Sequence, residues 1–334
     1  MRTLTLIAGL VASLIGARAD ADPYRVAGRI KGPDGGWDYA SIDSASRWLF
    51  VARGYGVMAV DLASGAVTSK LVEGAGVHGV LPLPGSTLAI STNGKSNDAL
   101  LFDRSTGRIE MTIQTGGSPD ALLIEPNTGL VVIFNGKSRD ATLFDPSARA
   151  VVGAIALNGK PEAGAADGAG RVFVNLEDKA EIAVIDVAGR KVVGAYALPG
   201  CEAPTGLAYE PERKLLISAC DNKIAKLIDA ATGKDLGGLP IGAHPDAVLV
   251  DGARRRALVP AGEGALTVVD IAAGHDISVL ETVPTQKGAR TAALDAATGD
   301  IYLPTAQFAP PESDGARPKP VAGTFEILVV SPMN

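Results

Sequence analysis

The chain has 334 residues, 46% hydrophobic and 20% charged, enough apolar side chain for a large core in one or two domains. Net charge is −6 and aromatic residues make up 4%. This balance excludes a nucleic-acid face, which needs clustered Lys and Arg with aromatics between them.

Met1–Ala19 reads as a cleaved signal peptide. Arg2 gives the positive start, Leu4–Ile15 the apolar stretch and Ala17-Arg18-Ala19 the small-x-small cleavage site. The apolar stretch is shorter than the roughly 20 residues of a membrane-spanning helix. No other long apolar run follows, so the expected mature protein is periplasmic or secreted and has no membrane span.

Tyr24–Ile30 has the pattern of a β-strand that lacks partners before it. From there the chain repeats. Gly117–Leu157 shows one unit clearly: apolar runs at Leu122–Ile124, Leu130–Phe134, Ala141–Phe144 and Val151–Leu157, separated by Gly, Pro, Asn and Asp turns. The acid that ends the third run recurs as Asp61, Asp103, Asp145, Asp186, Asp229 and Asp270, at steps of 42, 42, 41, 43 and 41. The residue opening the first run recurs as Asp38, His78, Asp120, Glu162, Thr205, Asp246 and Arg290. Four strands per period of about 40–45 residues predict an all-β propeller, and seven openers predict seven blades. The last unit has only Thr291–Leu294, Ile301–Thr305 and Phe325–Val330, so Tyr24–Ile30 is expected to supply its outer strand. A single propeller is therefore expected over residues 22–331, with a long Pro- and Gly-containing loop at 306–323.

In a meander, the start of the first strand and the end of the second lie on the same face. The openers should therefore ring the axial channel, backed by Arg53, Asn93, Asn135, Asn175, Cys220, Ala261 and Thr305. His78, Asp120 and Glu162, with Asn93, Asn135 and Asn175, form a candidate set for a divalent cation. Oxygen ligands suit calcium or magnesium, and the imidazole admits zinc. Asp120, Glu162 and His78 are the candidate general bases. Arg53 and Arg290 are candidates to hold an anionic group. Asp38, Thr205, Asp246 and Gln307 complete the expected ligand-binding set, with Gln307 and Arg317 carried by a lid formed from 306–323. The alternative is a solvated polar channel in which the asparagines only brace turns. Asn93-Gly94-Lys95-Ser96 and Asn135-Gly136-Lys137-Ser138 lack the upstream glycine and following helix of a phosphate loop and read as turns. His244 and His275 stand away from the openers and read as surface residues. Cys201 and Cys220, the two cysteines of an exported chain, are expected to form a disulfide.

Ile90-Ser91-Thr92-Asn93, Val132-Ile133-Phe134-Asn135 and Val172-Phe173-Val174-Asn175 resemble the second-strand repeat of the YncE-like (YVTN-repeat) family of exported seven-bladed propellers. Pro204-Thr205-Gly206 matches that family's first-strand Pro-x-Gly, while Pro119, Pro161 and Pro245 keep the proline alone. The resemblance spans the mature chain and implies the fold. Its functional implication is broad, because related exported propellers resemble sugar-lactone hydrolases or accessory, ligand-binding proteins. Three functions are thus open: a hydrolase of a sugar lactone or similar ester, a non-catalytic binder of a small polar or anionic molecule or a metal, and a scaffold for a protein partner.

Overall fold

The computed structural model describes residues 23–311, 313 and 318–333. The proposed signal peptide and Arg317 lie outside them. The described residues form seven sheets of four antiparallel strands. Each first strand packs on the first strand of the next blade, and blade one packs back on blade seven, which closes the ring.

The inner strands are apolar because blades stack on both of their faces. In blade three, Val131–Asn135 is buried at every residue, whereas the outer strand Ala150–Ala156 is largely accessible. Phe50, Phe102, Phe134, Phe144 and Phe173 are fully buried between blades. Each such ring contributes roughly 1.5–3 kcal/mol of burial. The recurring acids have a local cause as well. Asp103 Oδ1 accepts hydrogen bonds from the Ser105 and Thr106 amides, at 3.0 and 2.9 Å, and Asp145 and Asp229 cap their own turns in the same way. Hydroxyl and amide donors hold Asp103 well below the usual carboxylate range.

Blade seven is built from Ala293–Leu294, Ile301–Thr305 and Glu326–Pro332, with Tyr24–Lys31 as the outermost strand. The register runs antiparallel from Tyr24 opposite Pro332 to Lys31 opposite Glu326. This is the closure that the unpartnered strand Tyr24–Ile30 led one to expect, and Tyr24 is buried in a cluster with residues of blades six and seven.

One feature of the first strands sets up the mouth. In blades one to five the ladder slips by one residue at the opener: Trp37 faces Arg53, but Ala40 faces Val51. Blade six has the same offset between Pro245 opposite Ala261 and Leu249 opposite Leu258. The openers of blades one to six therefore sit in β-bulges, which release their side chains from the alternation of the strand. The register also corrects the reading of blade four. Pro161 faces Leu176, so Leu176 and not Asn175 is the counterpart of Asn93 and Asn135.

Candidate functional site

Blades one to three bring Asp38, His78 and Asp120 together at the channel mouth. His78 Nδ1 lies 2.7 Å from Asp38 Oδ2 and 3.9 Å from Asp120 Oδ1. One ligand atom from each of the three can lie within 4.8 Å of the others. The ring of His78 rests over the Asn93-Gly94 turn, and a Cβ at Gly94 would meet His78 Cδ2 at 2.7 Å. The hydrogen bond to Asp38 raises the His78 pKa against the opposing effect of burial.

Blade four adds Glu162, whose Oε1 accepts from Lys160 Nζ at 2.7 Å; Lys160 also pairs with Glu177. Blades six and seven add Asp246 and Arg290, with Asp246 Oδ2 3.2 Å from Arg290 Nε. The acids are crowded and poorly hydrated. Burial, then the charge of Asp38, pushes Asp120 up to about 6. Burial and the charge of Asp120 push Glu162 upward despite Lys160. Burial pushes Asp246 up to about 7 although Arg290 opposes it. These acids hold protons toward neutral pH because Lys160 and Arg290 do not offset their burial and mutual repulsion; a bound cation would relieve that repulsion and favour the carboxylates.

Below these groups the channel becomes apolar. A cavity of about 210 Å³ is lined by residues including Tyr39, Val80, Leu122, Leu207 and Val248, with Asp246 at its polar edge. Tyr39 reaches from blade one to pack against the core cluster shared by blades three and four, which includes Ala121 and Val174. Burial and the charges of Asp246, Asp120, Glu162 and Asp38 raise its pKa well above the ordinary tyrosine value.

Several residues expected at the mouth are engaged elsewhere. Arg53 is fully buried: Nε donates to Gly36 O at 2.8 Å, and Nη2 donates to Pro33 O and Gly35 O at 2.8 and 3.1 Å. Its guanidinium carbon stacks 3.7 Å from the Phe325 ring centroid. Asn93 Nδ2 donates to Asp98 Oδ1 at 2.6 Å, and Asn135 Nδ2 donates to Asp140 Oδ1 at 2.5 Å. A Cβ on Gly74 would sit 2.5 Å from Asn93 Oδ1, so that amide is turned toward the preceding blade connection. Asn175 Nδ2 donates to Thr205 O and Gly206 O, at 2.9 and 3.1 Å, tying blade four to blade five. Thr205 donates its hydroxyl to Pro245 O at 2.7 Å, between blades five and six. Cys201 and Cys220 form a disulfide, with Cα atoms 5.4 Å apart. His244 and His275 are exposed and pair with Asp221 and Asp270.

The described part of the 306–323 loop is anchored at the rim of the mouth. Phe308 bridges to Pro320, and its ring lies 6.1 Å from Trp37, next to the opener Asp38. Gly323 N donates to both oxygens of Asp34. Gln307 is exposed. Sequence reasoning missed Tyr39, Lys160 and Glu177. Tyr39 had a readable signal. The residues following the openers are Tyr39, Gly79, Ala121, Ala163, Gly206, Ala247 and Thr291, and Tyr39 alone is large.

The chain matches no protein-family model, and no curated protein matches it. Among solved structures it is similar to the Kuenenia stuttgartiensis hydrazine synthase, with 16% identity and a TM-score of 0.72 over 82% of this chain and 94% of that one. It is also similar to a chain from a crystal structure of the mitotic checkpoint complex, with 13% identity and a TM-score of 0.74 over 100% of this chain and 99% of that one. At these identities the likeness establishes the seven-bladed propeller and leaves function to the residues at the mouth.

Proposed function

We propose that this protein is an exported propeller that binds a divalent cation, and a small polar molecule beside it, at the acidic mouth of its axial channel. The observation that carries this reading is the convergence of Asp38, His78 and Asp120, whose ligand atoms lie within 4.8 Å of one another. One imidazole and two carboxylates suit zinc or another transition metal. Calcium takes six to eight oxygens, more than two carboxylates supply; the side-chain nitrogens of Asn93, Asn135 and Asn175 are held in structural hydrogen bonds, and Asn93 Oδ1 is turned toward Gly74. The Cys201–Cys220 disulfide supports an oxidising compartment, periplasmic or secreted. The motifs shared with YncE-like propellers support export to the same place.

The reaction best matched to this group set is hydrolysis of a sugar lactone or similar ester. A bound cation would polarise the carbonyl. Glu162, outside the ligand set, has the proton affinity for a general base near neutral pH, because burial and the charge of Asp120 raise it. Arg290 remains for an acid product, whereas Arg53 is sealed behind the Pro33–Gly36 loop. That loss of one arginine favours non-catalytic binding as the second reading. The scaffold reading rests on the fold alone.

The test has two arms on one preparation: metal analysis with zinc, calcium and magnesium titrations, and turnover of an aldonolactone panel. Asp120→Asn should weaken metal binding at least about tenfold while the propeller stays folded. Metal binding without turnover selects the second reading. Absence of both metal binding and turnover refutes the proposal.

A further inference from the structure

We propose that Asp246, Tyr39 and the apolar throat form a pocket for an organic ammonium ion: a small amine with its charged head at Asp246 and its apolar arm in the throat. This deepens the reading of the mouth as a ligand site but does not depend on a metal at Asp38, His78 and Asp120.

Three observations carry it. The first is the cavity itself. A space of about 210 Å³ opens directly below the charged ring, and most of its wall is hydrocarbon, including Val80, Leu122, Leu207 and Val248, with Ser41, Tyr39 and Asp246 supplying polar groups. Such walls favour an apolar arm over a hydrated metal ion or a sugar, most of whose hydroxyls would lack partners there. An apolar arm of a few carbons fits both the volume and the lining.

The second is the position of Asp246. It is 8% exposed and is the acid that lines the cavity, followed in the chain by Ala247, Val248 and Leu249, which line it too. Its partner Arg290 lies at 3.2 Å, outward of the cavity, with a side chain that is 52% exposed. A buried carboxylate at the boundary between a polar mouth and an apolar throat matches the head-and-arm division of an amine.

The third is Tyr39. It packs against the core cluster shared by blades three and four and lines the same cavity as Asp246. An aromatic face next to carboxylates is the usual means of holding an alkylammonium group. The small residues at the equivalent positions of the other blades, such as Gly79, Ala121 and Ala163, leave the channel section to this one ring. The proposed ligand class thus differs from the anionic one that the two arginines suggested from sequence. Arg53 faces away, and the throat approaches an acid rather than a base.

The experiment uses the mature chain with its disulfide intact. n-Butylammonium, tetramethylammonium, n-butanol and butyrate are titrated by calorimetry and by ligand-observed NMR, and zinc is titrated into the same preparation. Saturable binding of n-butylammonium, with butyrate at least about tenfold weaker, is the expected result. Asp246→Asn should weaken n-butylammonium about tenfold and leave zinc binding unchanged. Tyr39→Leu keeps an apolar side chain at the packing position and should weaken tetramethylammonium more than n-butylammonium. Val248→Phe fills the throat and should weaken longer alkylamines most, which serves as a second test if the Tyr39 variant does not fold. Butyrate binding as well as n-butylammonium, or Asp246→Asn without effect, overturns the proposal. If zinc binds and no amine does, the amine pocket is refuted while the metal reading stands. If amines bind and zinc does not, the metal reading falls and the pocket stands.

Discussion

Removing the Arg53 guanidinium is the most direct test of how the mouth is divided between structural and ligand-facing charge. Three of its hydrogen bonds end on the carbonyls of Pro33, Gly35 and Gly36, and its flat face covers Phe325. Each charged hydrogen bond has a net value of about 1.5–3 kcal/mol. Releasing the buried cation from its desolvation cost offsets a good part of that sum. Arg53→Ala is then expected to lose about 3–5 kcal/mol, the range for a broken buried polar network. For a domain of this size that corresponds to a fall of roughly 5–8 °C in Tm. Arg53→Lys keeps the charge but cannot span three carbonyls with one ammonium, so it should lose about 2 kcal/mol. Urea unfolding, with refolding checked for reversibility, measures both. Zinc affinity at Asp38, His78 and Asp120 should stay within about twofold of the parent, because no partner is shared. Parent-like stability combined with weakened ligand or metal binding would refute the assignment of Arg53 to the fold.

Two further outcomes are expected. Asp120 and Asp246 have folded-state pKa values of about 6 and about 7, above those of an unfolded aspartate, so each loses stabilising effect as pH rises through that range. Unfolding free energy should therefore fall between pH 5 and pH 8, and Asp246→Asn should flatten the slope; a parent protein equally stable at both pH values contradicts this. Deleting Tyr24–Lys31 strips the outer strand from Glu326–Pro332 and exposes an unpaired edge, so it should lower Tm and promote association on size-exclusion chromatography. An unchanged, monomeric deletion protein would rule out this closure.

Much of the fold was legible because one turn chemistry recurs. Asp61, Asp103, Asp145 and Asp229 each cap a four-residue turn, and that local need leaves a mark in the sequence at every repeat. The closure was legible because the missing strand at one end and the surplus strand at the other share a pattern. The site was less legible, and the reasons are geometric. Blade four has a shorter first turn, and a single residue of register turns a side chain to the other face of the sheet. Asn175 thus occupies the position of Thr92, whose hydroxyl donates to Asp120 O as Asn175 donates to Thr205 O. Arg53 ends a strand at the mouth, where a charged residue reads as solvent-facing. The Pro33–Gly36 backbone that wraps it has no side-chain signature pointing to an arginine.

The bulges explain why the openers differ so much in chemistry. A residue inside the ladder must suit the blade on either side, and at those positions the blades use similar apolar residues. An opener in a bulge is relieved of that demand, because the ladder closes around it: Trp37 pairs with Arg53 and Ala40 with Val51, leaving Asp38 to the channel. In blades one to six, Asp, His, Asp, Glu, Thr and Asp can then occupy equivalent sites on one scaffold. Their identities answer to the electrostatics of the mouth more than to folding. Thr205 is the exception that supports the rule: its hydroxyl returns to the backbone at Pro245, and it adds no charge to the ring. What remains is a ring with acids and an imidazole across blades one to four, a buried acid in blade six and one accessible arginine in blade seven. That asymmetry gives the channel a direction across its width as well as along its axis. A ligand that uses both the acids and the throat must enter in one orientation, so its stereochemistry is constrained by blades six and one, where Asp246 and Tyr39 stand.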